Sequence, residues 1–107
     1  MSSNVANLEQ RLRSELDQAT AQLARLEQQY EELLHDPGVL QEDRDATRML
    51  LEAARDVEAA ARGAVSRFAD GTYGRCVRCG EEIAPERLEA LPDVDTCVTC
   101  AGKALSG

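Results

Sequence analysis

The residues of this sequence whose type and spacing could do chemistry are four cysteines. They fall as Cys76-x2-Cys79 and Cys97-x2-Cys100, with seventeen residues between the pairs. A CxxC turn points both sulfurs to one side, and two such turns complete a tetrahedron of thiolates around Zn2+ with metal–sulfur bonds of about 2.3 Å. Gly80, directly after the second cysteine, suits a tight knuckle that turns backbone N–H groups toward sulfur. With every position filled by protein sulfur, nothing is left for water or substrate. The expected cofactor is therefore one structural zinc ion. A thioredoxin-like redox pair would need a βαβ setting, and iron–sulfur clusters use other spacings. No nucleophile–base pair, open metal site or phosphate loop is visible elsewhere, so the chain is not expected to be an enzyme.

The zinc module is expected over residues 71–107, opening at the turn residues Asp70 and Gly71. Between the cysteine pairs, Pro85 can begin a short helix, "PERLEAL", with Ile83, Leu88, Leu91 and Val94 as a small apolar patch. That patch is too small to fold the module unaided. Structural zinc contributes on the order of 10–16 kcal/mol of apparent binding energy, enough to organise it.

The elements that must position this module occupy residues 1–70. Val5, Leu8, Leu12, Leu16, Ala19, Leu23, Leu26, Tyr30 and Leu33 recur at steps of three and four. Thr47, Leu50, Ala54, Val57, Ala61, Ala64 and Phe68 do the same, with Leu51 and Val65 widening the stripe to one side. Each arm is about 30 residues, or roughly 45 Å of helix. The predicted fold is mainly α: a long antiparallel helical hairpin, or coiled coil, followed by a small C4 zinc finger. Folding back about Pro37–Gly38 sets Leu12 against Ala64, Ala19 against Val57 and Leu26 against Leu50. The stripes have the width of a two-helix seam, which favours a monomeric hairpin over a dimeric four-helix bundle. Gly63 costs about 1 kcal/mol against alanine inside the second arm, and close helix contact would be a reason for it.

The turn, "HDPGVLQEDRDA" over residues 35–46, carries the second constellation. Asp36, Glu42, Asp43 and Asp45 gather at the far end of the rod as candidate partner-binding residues. Acidic residues at a helix start also complement the macrodipole, which is the bland reading of Glu42, Asp43 and Asp45. His35, a lone histidine at a helix end, reads as a solvated or capping residue and not a ligand. Arg75, Arg78 and Lys103 near the finger either meet an acidic partner or balance the zinc thiolates.

Composition narrows the function further. The chain has 107 residues, three aromatics and a formal charge of −8. Lys and Arg form no runs, so a stand-alone nucleic-acid binder or an anionic membrane surface is a poor match. The start "MSSNVANLEQ" shows no basic n-region and apolar core, and no long apolar run follows. A cytoplasmic setting is expected, where cysteines hold metal more readily than disulfides.

The stretch "YGRCVRCGEEIAPERLEALPDVDTCVTC" resembles the C4 zinc finger of the DksA/TraR family. Tyr73, Gly74, Cys76, Cys79, Gly80, Ile83, Arg87, Leu88, Ala90, Pro92, Cys97 and Cys100 all match its pattern. The resemblance covers about a quarter of the chain, and the predicted hairpin agrees with the family's architecture. It implies a regulator that binds RNA polymerase directly and not DNA. The family's hairpin enters the secondary channel, where an acidic tip nears the catalytic Mg2+ and modulates initiation. The runner-up is a zinc-stabilised coiled-coil adaptor that docks on another protein. Two departures stand out. The family's tip pattern, DxxDxA, finds its second half around Asp43–Ala46, but its first Asp falls on Leu40. The basic residues that members use with the alarmone ppGpp fall on Ala60, Leu91 and Ala101, so the usual ppGpp pocket is not expected.

Overall fold

The computed structural model describes residues 2–106, with side-chain surroundings for residues 6–102. Four helices follow one another: α1 (Ser2–Leu34), α2 (Gln41–Asp70), α3 (Pro85–Ala90) and α4 (Val98–Ser106). Among the described residues there is no β-strand, only an isolated antiparallel bridge between Arg75 and Glu82. The molecule measures 55 × 37 × 20 Å, an elongated shape set by the two long helices. The side chains of Val5 and Lys103 lie outside the described residues.

α1 and α2 pack against each other as an antiparallel hairpin. The seam follows from the heptad-like spacing: Leu12 and Leu26 of α1 are buried, and so are Thr47, Leu51, Ala61 and Ala64 of α2. At the base, Leu12 is 2% exposed and Ala64 0%, so both residues expected to face each other there are buried in the seam. Leu12 shares its surroundings with Val65 and Phe68, which fixes the register there.

Two of the expected inward residues are largely exposed, although Val57 still lines a cleft with its expected partner Ala19. Leu50 is 59% exposed and Val57 57%, while Leu51 is buried and Glu58 half-buried. Leu50 and Leu51 lie about 100° apart on the helix, so a seam one residue wide admits only one of them. The phase that buries Leu51 also brings Val65 and Phe68 onto Leu12. Glu58 is accommodated at the margin because its carboxylate pairs with Arg62. The close approach expected at Gly63 also has a different cause. A Cβ there would stand 3.0 Å from the Arg67 guanidinium, not against α1. The glycine leaves room for that arginine.

α2 ends on Gly71, whose φ of 83° is left-handed and whose N–H caps the last turn on Arg67 and Phe68. Thr72 and Tyr73 both donate to the Arg67 carbonyl, so the chain turns at once into the cysteine module. Three contacts then hold that module on the hairpin base, and one inside the module orients Tyr73 for them. The Tyr73 hydroxyl donates to the Pro92 carbonyl at 2.7 Å, and its ring meets Phe68 edge-on with centroids 6.2 Å apart. The Arg67 guanidinium donates to the Asp93 carbonyl, and that of Arg11 to the Glu89 carbonyl. Burial pushes the Tyr73 hydroxyl above its ordinary pKa, with Arg11 opposing.

Candidate metal centre and hairpin tip

The first knuckle forms because the backbone reverses around residues 76–81. Cys76 N–H donates to the Glu81 carbonyl at 2.8 Å, and Gly80 N–H donates to the Cys76 carbonyl at 2.9 Å. Gly80 has φ 79°, a conformation that a side chain would strain. Ile83 N–H closes the loop on the Gly74 carbonyl. The second knuckle is the entry to α4, with Cys97 just before the helix and Cys100 within its first turn. Cys100 N–H points at the Cys97 sulfur, 3.4 Å away. The Val77 N–H donates to the Asp95 carbonyl and joins the two knuckles.

This brings the four sulfurs within 4.8 Å of one another. Cys79 Sγ and Cys97 Sγ are 3.8 Å apart. A regular tetrahedron with metal–sulfur bonds of about 2.3 Å has edges of about 3.8 Å. The arrangement fits a single tetrahedral zinc ion, and an all-sulfur donor set is one that zinc favours. All four cysteines are free of disulfides. Backbone hydrogen bonding, led by that from Cys97, lowers the Cys76 thiol to about 6 against the effect of burial. Cys97 is likewise lowered, chiefly by the Cys100 N–H. Cys100 is pushed up to about 12, first because it shares a hydrogen with Cys97. Cys79 receives a lowering hydrogen bond from Glu81, yet sharing with Cys76 and burial raise it overall. Four sulfurs this close cannot all ionise without a cation among them, and zinc supplies that charge when bound.

Cys76 and Cys100 are buried with Ile83, and Leu88, Val94 and Cys97 pack against them. Leu91, expected in that patch, is 48% exposed instead. It is the C-cap of α3, with φ −131° and ψ 79°, and the chain turns it outward as the helix ends. Arg87, on α3, donates to the Thr96 carbonyl at 3.1 Å and so sets the segment leading to Cys97. α4 had no expectation in the sequence, because its nine residues are too few for periodicity to declare itself.

At the opposite end, the four acidic residues of the turn divide by what they do. Asp36 Oδ1 accepts from Gly38 N–H at 2.9 Å, so this carboxylate shapes the turn. Asp45 accepts from Gln41 at 2.9 Å and lies 3.7 Å from Arg48, within the first turns of α2. Glu42 and Asp43 stand exposed in the first turn itself. Leu40 is the N-cap residue, has no side-chain cap bond and is 63% exposed. His35 is exposed and lies 2.9 Å from the Glu31 carboxylate one turn back. Arg75 and Arg78 are exposed on the first knuckle.

Sequence reasoning missed Arg44. Its Nε donates to the Leu33 carbonyl at 3.1 Å and its terminal nitrogen to the Asp36 carbonyl at 2.9 Å. It adds a second donor to these two carbonyls, which already accept the Asp36 and Val39 N–H groups, and ties the start of α2 across the turn. The available signal was its position as the one cation inside Glu42-Asp43-Arg44-Asp45.

Comparison with known proteins agrees with this architecture. Residues 71–104 match the family model of the prokaryotic dksA/traR C4-type zinc finger. Over 97% of this chain and 84% of the other, the structure resembles transcription factor DksA2 from Pseudomonas aeruginosa, with a TM-score of 0.80 at 20% identity. It resembles the RNA polymerase binding protein and transcriptional regulator Dks from Chlamydia trachomatis, covering 100% of this chain and 93% of that one, with a TM-score of 0.55 at 20% identity. These two likenesses concern the fold. The DnaK suppressor protein from Agrobacterium tumefaciens is 30% identical, covers 92% of either chain and has a TM-score of 0.63. The chain spans about half the length, 49%, of General stress protein 16O from Bacillus subtilis, to which it is 32% identical over 80 residues. With the finger, the hairpin and a 30% identical relative matched along nearly its whole length, this chain belongs to the DksA/TraR family of C4-type zinc finger proteins.

Proposed function

We propose that this protein regulates transcription by binding RNA polymerase, with the hairpin entering the secondary channel and its acidic turn lying near the catalytic Mg2+. The observation that carries the reading is the construction of the turn. Arg44 and the Asp36 carboxylate hold it in one conformation, and Glu42 and Asp43 project from it into solvent. A rod of two roughly 45 Å helices is a suitable probe for a narrow channel. Mg2+ prefers oxygen ligands, so carboxylates brought beside it would compete with or reorient its own. The solved relative from Chlamydia trachomatis carries RNA polymerase binding in its name, and its fold is shared here.

In this reading the protein is not an enzyme. It binds no DNA of its own, acts as a monomer, and uses zinc only to hold the finger on the hairpin base. The hairpin over 1–70 and the zinc module over 71–107 then divide the work. Glu42 and Asp43 would act directly at the tip, whereas Asp36 and Asp45 would keep its shape.

The test is to mix the purified chain with core RNA polymerase, look for co-elution, and then assay transcription. Asp43→Ala with Glu42→Ala should leave binding in place and abolish the transcriptional effect. If the wild-type chain fails to co-elute at micromolar concentration, the polymerase reading falls. The adaptor reading then stands in its place.

A further inference from the structure

The seam uses only one stripe of α2, and a second is left on the surface. Ala46, Leu50, Ala53, Val57 and Ala60 recur at steps of four and three, the spacing of a helix-packing ridge. Leu50 and Val57 are 59% and 57% exposed. The buried stripe contains Thr47, with Glu58 at its margin, whereas this one, exposed at all but the half-buried Ala60, is apolar at all five positions. Large residues alternate with alanine, which leaves shallow holes between knobs and lets another helix approach closely. A hairpin that functions alone has no use for such a face, and water would favour polar residues there.

The borders of the stripe say what covers it. On the outward flank, Glu42, Asp45, Glu52 and Asp56 share a row with Met49, itself 66% exposed. On the inward flank, Val57 opens onto a cleft edged by Glu15 of α1 and Asp93 of the finger. Acidic side chains therefore stand along the outward side of an apolar track, and Asp93 with the Arg11-paired Glu15 stands inward of it beside Val57. A second copy is a poor occupant. A twofold pairing through this face would set the acidic borders of two chains, each with a formal charge of −8, against each other.

We propose that this face of α2 is a docking surface for an amphipathic helix of a partner protein, one with an apolar ridge bordered by lysine or arginine. The proposal rests on the polymerase reading and takes that helix to belong to RNA polymerase. The hairpin would then form a three-helix contact along its shaft, separate from whatever its tip does.

The experiment measures the affinity of the full, zinc-loaded chain for core RNA polymerase. Leu50→Gln with Val57→Gln should weaken binding by roughly tenfold or more, since two side chains lose apolar burial. Glu52→Lys with Asp56→Lys should weaken it too, with a flatter dependence on salt. Both variants should melt as the wild type does, because neither pair is in the seam. Wild-type binding with unchanged affinity in the Leu50/Val57 variant overturns the docking surface and leaves the polymerase reading intact. Absence of wild-type binding overturns both. Sedimentation equilibrium of the chain alone should show a monomer, and a dimer that the Leu50/Val57 variant dissociates would assign the face to a second copy and overturn the proposal.

Discussion

At the residue scale, single side chains at the turn trade stability against presentation. Leu40 occupies the N-cap of α2, a position where Asp, Asn or Ser would accept a bond from the exposed N–H groups of the first turn. Leu40→Asp should raise stability by about 1 kcal/mol in urea denaturation of the zinc-loaded protein. An unchanged or lower midpoint would show that the cap is satisfied some other way. Arg44 acts in the opposite sense. Arg44→Ala removes the second donors to the Leu33 and Asp36 carbonyls and should destabilise the protein by about 1–2 kcal/mol. Hydrogen exchange should accelerate first around the turn, over 34–40, and an unchanged exchange pattern there would contradict this role. The acidic cluster was legible in the sequence, but its division of labour was not. Which carboxylate folds back on its own backbone depends on turn geometry. The pattern of residue types does not record it.

At the element scale, the helical arms and their fold-back were legible from spacing, because a stripe at steps of three and four has one physical solution in a helix. The phase of α2 was not. The expected stripe is buried at Thr47, Ala61 and Ala64, but between them Leu50 and Leu51 can each continue it, and periodicity alone does not choose. The choice is made by tertiary contact at the base, where Val65 and Phe68 meet Leu12. Substitution reads this directly. Leu12→Ala or Leu51→Ala, each emptying a buried site, should cost about 2–5 kcal/mol. Leu50→Ala should cost less than about 0.5 kcal/mol because its side chain is in water. Equal losses at Leu50 and Leu51 would contradict the seam. In the finger, the cysteine spacing was readable because the metal fixes it. The outward turn of Leu91 and the short α4 depend on chain paths too brief to leave a pattern.

At the scale of the whole molecule, the zinc module has a core of only a few side chains around Cys76, Ile83 and Cys100, so metal is the larger part of its stability. One zinc per chain is expected by elemental analysis. Removal by a strong chelator should unfold the module and free the Tyr73 ring from Pro92 and Phe68, with a change in tyrosine fluorescence. Much of the helical circular dichroism should remain, because the α1–α2 seam contains no metal ligand. Loss of all helicity on chelation would mean that the hairpin depends on the finger.

In the proposed function the molecule's two ends have distinct tasks, with zinc holding the base and the Arg44-braced turn presenting Glu42 and Asp43. Placement of that turn at the polymerase active centre is the central functional claim. It is tested most directly by loading Fe2+ in place of the catalytic Mg2+ of RNA polymerase and generating hydroxyl radicals with this protein bound. Cleavage of this chain within 36–46 and protection of the finger are expected. Cleavage centred on the finger, or none in the turn of a chain shown to be bound, would contradict it.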